Sequence, residues 1–299
     1  MLAGRAEPSA TVLQGLSMYE SFYGLKIKPF AVVPDPRFIY WAGPHSMAFA
    51  MLEYGIVNHA GFTVVTGEIG SGKTTLLRHL LGQLPGDISI GLVSNMQGDR
   101  GDLLEWVLMA FGQDFEGASY VALYQKFTRF LVDQYEQGRR TVLVIDEAQN
   151  LGAKALEELR MLYNVNSHDR ELLQIVLSGQ PELKTLLSRP ELTQFAQRVS
   201  SDFHLGLLDS TEVPAYIDHR LAIAGADRLL FTDDAIALIA YATRGTPRLI
   251  NILCDTALMY GFGTGASVVD GAIVQRVLED KRRFGIFPLD ASARANPVG

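Results

Sequence analysis

Two hydrophobic rhythms divide this chain. Between residues 61 and 207 short apolar runs recur: Phe62–Thr66, Ser89–Val93, Thr141–Ile145, Leu172–Ser178 and Asp202–Gly206. Runs of this length, rich in β-branched residues, predict buried strands. The segments between them, Asp102–Phe111 and Tyr120–Gln137, place apolar residues three and four apart and predict helices. From about Ser210 only the helical spacing remains, over Thr211–Ala224, Thr232–Thr243, Pro247–Tyr260 and Gly271–Glu279, with Ser210 and Thr232 as expected N-caps. Strands alternating with helices predict a three-layer αβα core with a parallel sheet. The closing helices predict a small all-helical lid, hinged near Leu207 to Ser210. The expected partition is a disordered extension over 1–17, an N-terminal elaboration over 18–60, the core over 61–208, the lid over 209–282 and a flexible tail over 283–299. Pro29, Pro34 and Pro36 keep the elaboration extended until a helix from His45 to Asn58.

The first strand runs into Gly67-Glu68-Ile69-Gly70-Ser71-Gly72-Lys73-Thr74, and Thr75 opens a leucine-rich helix. Strand, glycine loop and helix in that order are the setting in which G-x-x-x-x-G-K-[ST] cradles phosphate, so the fold class sharpens to a P-loop NTPase. Glycines let backbone N–H groups converge on phosphate oxygens, and the helix presents its positive end. Lys73 is expected on the β- and γ-phosphates and the Thr74 hydroxyl on Mg²⁺.

The run Thr141–Ile145 ends in Asp146-Glu147, at the strand edge where open α/β sheets bind ligands. Asp146 is expected to hold Mg²⁺, directly or through water, and Glu147 to orient and deprotonate the attacking water. An acidic pair at a strand end also serves as a helix N-cap; its coupling to the glycine loop favours the hydrolytic role. Ser178 or Gln180, closing another strand, is placed to contact the γ-phosphate or its water. Arg198 precedes a further short strand, where an arginine commonly projects to the ATP of the next subunit as a trans-acting finger. Arg248 starts a helix in the last third and is expected to sense the γ-phosphate from the lid.

Composition narrows the partners. The 299 residues, 48% hydrophobic, suffice for a full core and a second small domain. No run reaches the roughly 18 apolar residues of a membrane helix. Arg5, Glu7 and Pro8 stand where a signal peptide would be apolar, which points to a cytoplasmic protein. The single cysteine, Cys254, lies in an apolar helical run and is expected to be buried and inert. The six histidines show no metal-ligand spacing. A net charge of −7 argues against a nucleic-acid machine, and Lys281-Arg282-Arg283 reads first as a solvated helix end. No guanine-reading Asn-Lys-x-Asp stretch is present, which leans towards ATP.

Longer strings carry a family likeness: Met18–Leu25, Lys28-Pro29-Phe30, Pro34–Phe38, Leu52–Gly55, the glycine loop and Gly138-Arg139-Arg140. It continues through Asp146–Leu151, Leu156–Leu162, Gly179–Leu183, Tyr216–Leu221 and Pro247–Asp255. Over about Met18 to Arg282 the chain resembles AAA+ ATPases of the ExeA/GspA type, and most of all those of exosortase (PEP-CTERM) and exopolysaccharide loci. The resemblance implies a RecA-like αβα core with a helical lid and ATP-dependent self-association into rings or filaments. It also implies a role in driving or regulating secretion or polysaccharide export, with envelope proteins as partners. In similar ATPases the segment before the core lines the adenine pocket, so Phe38 or Tyr40 is expected against the base. Secretion-type relatives usually continue into a membrane span and a peptidoglycan-binding domain, which these 299 residues do not include. Met18, where the likeness begins, is a candidate start. Two further readings share the core: a DNA-associated ATPase that recruits a transposase, and a nucleotide-gated adaptor with little turnover.

Overall fold

The computed structural model describes residues 18–94, 96, 103–166 and 170–285. The extension over 1–17, Asp102 and the end of the tail lie outside these residues. In chain order the elements are α1 (Glu20–Tyr23), α2 (Gly43–Val57), β1 (Phe62–Gly67), α3 (Lys73–Gln83), β2 (Ile88–Val93), α4 (Leu103–Ala110), α5 (Tyr120–Glu136) and β3 (Arg140–Ile145). There follow α6 (Gly152–Tyr163), β4 (Gln174–Gly179), α7 (Pro181–Leu187), α8 (Thr193–Ala196), β5 (Val199–Leu205), α9 (Glu212–Ala224), α10 (Asp233–Thr243), α11 (Pro247–Thr264) and α12 (Gly271–Phe284). They form two compact units: Pro34–Leu208 with Thr246–Arg248, and a helical unit of the remainder.

In the first unit five parallel strands lie in the order β2-β3-β4-β1-β5. Alternation along each strand feeds two cores. Val64, Leu143, Ile145, Ile175 and Leu177 join one buried cluster with residues of α4 to α7, while Val65, Val142, Val144 and Val176 join another with α2 and α3. The period of two thus splits every central strand between both faces, the pattern of a sheet covered on each side. At about 1.5–3 kcal/mol per fully buried aliphatic side chain, these two layers are the main force holding the sheet.

Several boundaries shift from the sequence expectation, each for a local reason. Leu172 and Leu173 precede β4 because the Asn166 side chain accepts their amide N–H groups, at 2.7 and 2.9 Å. The edge strand β5 begins at Val199, earlier than the apolar pattern indicates, because its exposed face carries Ser200 and Asp202. Ser210 does not cap α9. Asp209 does: its carboxylate accepts the Thr211 hydroxyl (2.6 Å) and the backbone N–H groups of Glu212 (2.9 Å) and Thr211 (2.8 Å), which together hold that carboxyl below its ordinary range. Thr232 occupies the N-cap of α10, but its hydroxyl turns to the Val269 carbonyl. Helix α12 runs through Phe284, so Arg283 and Phe284 belong to a helix and not to a tail.

The helical unit is discontinuous in sequence. Residues up to Val33, grouped above with the core, form a compact unit with the helices after Asp209. Tyr23 and Phe30 are fully buried there, the latter edge-to-face with Phe231. The buried Arg220 donates to the Pro29 carbonyl at 2.7 Å, and Lys28 pairs with Asp255 at 2.9 Å.

Candidate nucleotide site

The glycine loop emerges from β1, and β4 lies between β1 and β3. That order explains the site. Residues closing β4 are interposed between the loop after β1 and the acidic pair after β3, at the C-terminal sheet edge that favours ligands. Val65 is in register with Ser178 and Thr66 with Gly179, while Ile145 is level with Leu177.

Gly70 and Gly72 have φ of +81° and +105°. A Cβ on Gly70 would lie 2.6 Å from the Arg248 Cβ, and one on Gly72 would lie 3.2 Å from His45 Nε2. The loop is therefore both left-handed and closely walled, which only glycine tolerates. Lys73, buried at the start of α3, donates through Nζ to the carbonyls of Gly67 (2.6 Å) and Glu68 (2.9 Å). Burial pushes its ammonium pKa down; the Glu147 carboxylate, then those of Asp146 and Glu68, oppose the shift.

Thr74 donates from Oγ1 to Asp146 Oδ2 at 2.8 Å, and Ser178 donates to Asp146 Oδ1 at 2.8 Å. Asp146 is buried and also accepts the Glu147 backbone N–H at 3.0 Å. Glu147 itself has φ +56°, and its Oε2 accepts the side-chain amides of Gln149 (2.6 Å) and Gln180 (3.1 Å). Glu68 and Ile69 are exposed at the loop's crest, Ser71 is buried, and Thr75 is half-buried in α3. The Arg248 backbone N–H donates to the Gly70 carbonyl at 3.2 Å, which pins this residue to the loop.

The donor set fits a nucleotide with magnesium. A hydroxyl and a carboxylate within hydrogen-bond reach are hard oxygen donors, and Mg²⁺ commonly takes only one or two such protein ligands beside phosphate. Among the described residues no group of three His, Cys, Asp or Glu forms an all-protein metal cage.

Arg198 is not in this constellation. It precedes β5, whose Val199 pairs with Phe62 at the opposite edge of the sheet. Its guanidinium donates to Asn164 Oδ1 at 2.5 Å and lies 5.7 Å from the Tyr163 ring centroid. Phe38 is buried and Tyr40 half-buried in the segment leading to α2. Cys254 is buried and its thiol pKa is pushed well up by burial.

Two residues at the site carried no assigned role from sequence. His45 meets the Ser71 carbonyl through Nε2 at 3.0 Å. Gln149 bonds both Glu147 and the Gln180 backbone. The only hint was their position, at the start of a predicted helix and two residues beyond the acidic pair.

The fold is that of a P-loop NTPase of the AAA+ class, a parallel αβα core with a helical unit. Residues 57–187 match the family model of the AAA domain. The chain is 39% identical over 258 residues to General secretion pathway protein A of Aeromonas hydrophila, covering 86% of this chain and 47% of that protein. It thus spans about half the length of that curated relative. Its fold is similar to that of the ORC1 protein of Aeropyrum pernix solved in complex with DNA (TM-score 0.63, 15% identity, covering 86% of this chain and 70% of that one). It is similar too to the ORC2 protein of the same organism in ADPNP–ADP complexes (TM-score 0.60, 15% identity, 80% and 67% covered). Among the described residues no helix is long and apolar enough to cross a membrane.

Proposed function

We propose that this chain is an ATPase that drives or regulates an envelope secretion or exopolysaccharide-export system, working as a self-associated ring or filament. The hydrogen-bonded series Thr74–Asp146–Ser178 carries the reading, because it ties loop, acidic pair and intervening strand into one site. The likeness to General secretion pathway protein A supports the pathway. Bound Mg²⁺ would neutralise phosphate charge, with Thr74 and Asp146 as its protein ligands. Lys73 supplies a fixed positive charge to phosphate oxygens, and the loop amides supply oriented dipoles. Glu147 accepts the proton of the attacking water. Ser178 holds Asp146 in place, while Arg248 shapes the loop through Gly70 and reports nucleotide state. Arg198, at the far sheet edge of its own chain, serves the nucleotide of a neighbouring copy.

The test is ATP turnover against protein concentration, with and without DNA, alongside mass determination in ATP. Turnover per subunit should rise as assemblies form. Glu147→Gln should lower kcat by about 10²–10⁴-fold while keeping nucleotide bound. Arg198→Ala should lower it by about 10³-fold or more with binding intact. Unchanged turnover in Glu147→Gln removes the base role; activity that tracks monomer removes the trans finger; stimulation by DNA alone replaces the export reading.

A further inference from the structure

Glu147 is the one residue of the site whose backbone is left-handed without being glycine, at φ +56°. Such a conformation costs on the order of 1–3 kcal/mol and persists only where its surroundings hold it. Here the surroundings are specific. The side-chain amide of Gln149 works at both ends: Oε1 accepts the Gln180 backbone N–H at 2.9 Å, and Nε2 donates to Glu147 Oε2 at 2.6 Å. The Gln180 side chain donates to the same oxygen at 3.1 Å. Gly179 makes the approach possible, since a Cβ there would lie 2.9 Å from Gln149 Oε1.

We infer that Gln149 and Gln180 form an amide clamp that orients the Glu147 carboxylate for proton abstraction, with Gln149 as a positioning residue that acts only through Glu147. The inference rests on the hydrolytic reading above. Two N–H donors on Oε2 fix the carboxylate's rotation and draw its negative charge to that atom, so Oε1 is the oxygen left to take a proton. Strand β4 governs both acids at once, because Ser178 grips Asp146 and Gln180, two residues on, grips Glu147. An element that shifts the end of β4 or the turn at Ala148–Asn150 would therefore disengage the base without touching the phosphate loop.

The experiment uses the full chain and measures kcat, KM and affinity for a fluorescent ATP analogue. Gln149→Ala should reduce kcat roughly ten- to a hundred-fold, the cost of a misaimed group, with KM and nucleotide affinity within about two-fold. Gln180→Ala should act in the same direction and serves if Gln149→Ala does not fold. In a Glu147→Gln background, Gln149→Ala should change nothing further. Wild-type kcat in Gln149→Ala would overturn the clamp, as would an equal additional loss on top of Glu147→Gln. If the wild type shows no turnover, or Glu147→Gln turns over normally, the hydrolytic reading fails and the clamp fails with it. A responsive Glu147→Gln with a silent Gln149→Ala sinks the clamp alone.

Discussion

Lys73 shows how one side chain can be set against the stability of its own fold. Its ammonium is buried among loop carbonyls, and burial depresses its pKa despite nearby carboxylates. A base whose folded pKa is lowered binds fewer protons in the folded chain than in the unfolded one. The unliganded protein should therefore gain stability as pH rises from that depressed value towards the ordinary lysine value of about 10.4. Urea midpoints measured across this alkaline range should show the rise, and Lys73→Ala should lack it. The same substitution should weaken nucleotide binding roughly ten- to a hundred-fold, the worth of about 1.5–3 kcal/mol for a hydrogen bond to a charged group. Retained affinity in a nucleotide titration would remove Lys73 from the phosphate site. Lys73, Thr74, Asp146 and Glu147 are legible in sequence because their spacing and flanking strands are local signals. Gln149 and His45 are not, since their partners are chosen by how the loop and the acidic turn fold and not by residue type.

At the scale of elements, the loop and the strand order decide the site together. Gly70 combines φ +81° with a wall at Arg248, whereas Gly138, in the turn before β3, has φ +70° and open space around its Cβ position. Alanine at either position meets left-handed strain of about 1–2 kcal/mol. Only at Gly70 must the loop also move. Gly138→Ala should thus lower thermal stability modestly and leave nucleotide affinity intact, while Gly70→Ala should lose affinity beyond its loss of stability. Equal affinities in both variants would show that the wall at Arg248 is not needed for binding. The sequence pattern located all five strands, because buried parallel strands are apolar on both faces. It misjudged the ends of β4 and β5 because an asparagine side chain replaces ladder bonds before Gln174 and because an edge strand tolerates Ser200 and Asp202 on its open face. The strand order was not readable from any single segment, and it alone brings Ser178 and Gln180 to the two acids.

For the whole molecule the unexpected feature is the reach of the segment before Val33. Prolines made it look like an extended prelude to the core, yet its side chains complete the helical unit across a gap of some 190 residues, as in the bond from Arg220 to the Pro29 carbonyl, |i−j| = 191. No pattern within either segment announces such a pairing. Burial, and then its hydrogen bond to Asp255, pushes the Tyr19 hydroxyl pKa up, while the Tyr23 hydroxyl donates to the carbonyls of Leu258 (3.3 Å) and Ala266 (3.1 Å). Four helices after Asp209 would otherwise expose the apolar surface that Tyr23, Leu25 and Phe30 cover. Phe30→Ala deletes a fully buried ring and its edge-to-face contact with Phe231, and large-to-small changes of this kind cost about 3–5 kcal/mol. Hydrogen exchange should localise that loss: amides of α9 to α12 should exchange faster while those of β1, β3 and β4 stay protected. Faster exchange spread evenly over both units would mean that the N-terminal segment stabilises the chain as a whole. Exchange confined to the helical unit would make it the part of the protein most easily loosened, because its fold would then depend on a segment supplied from the other end of the chain.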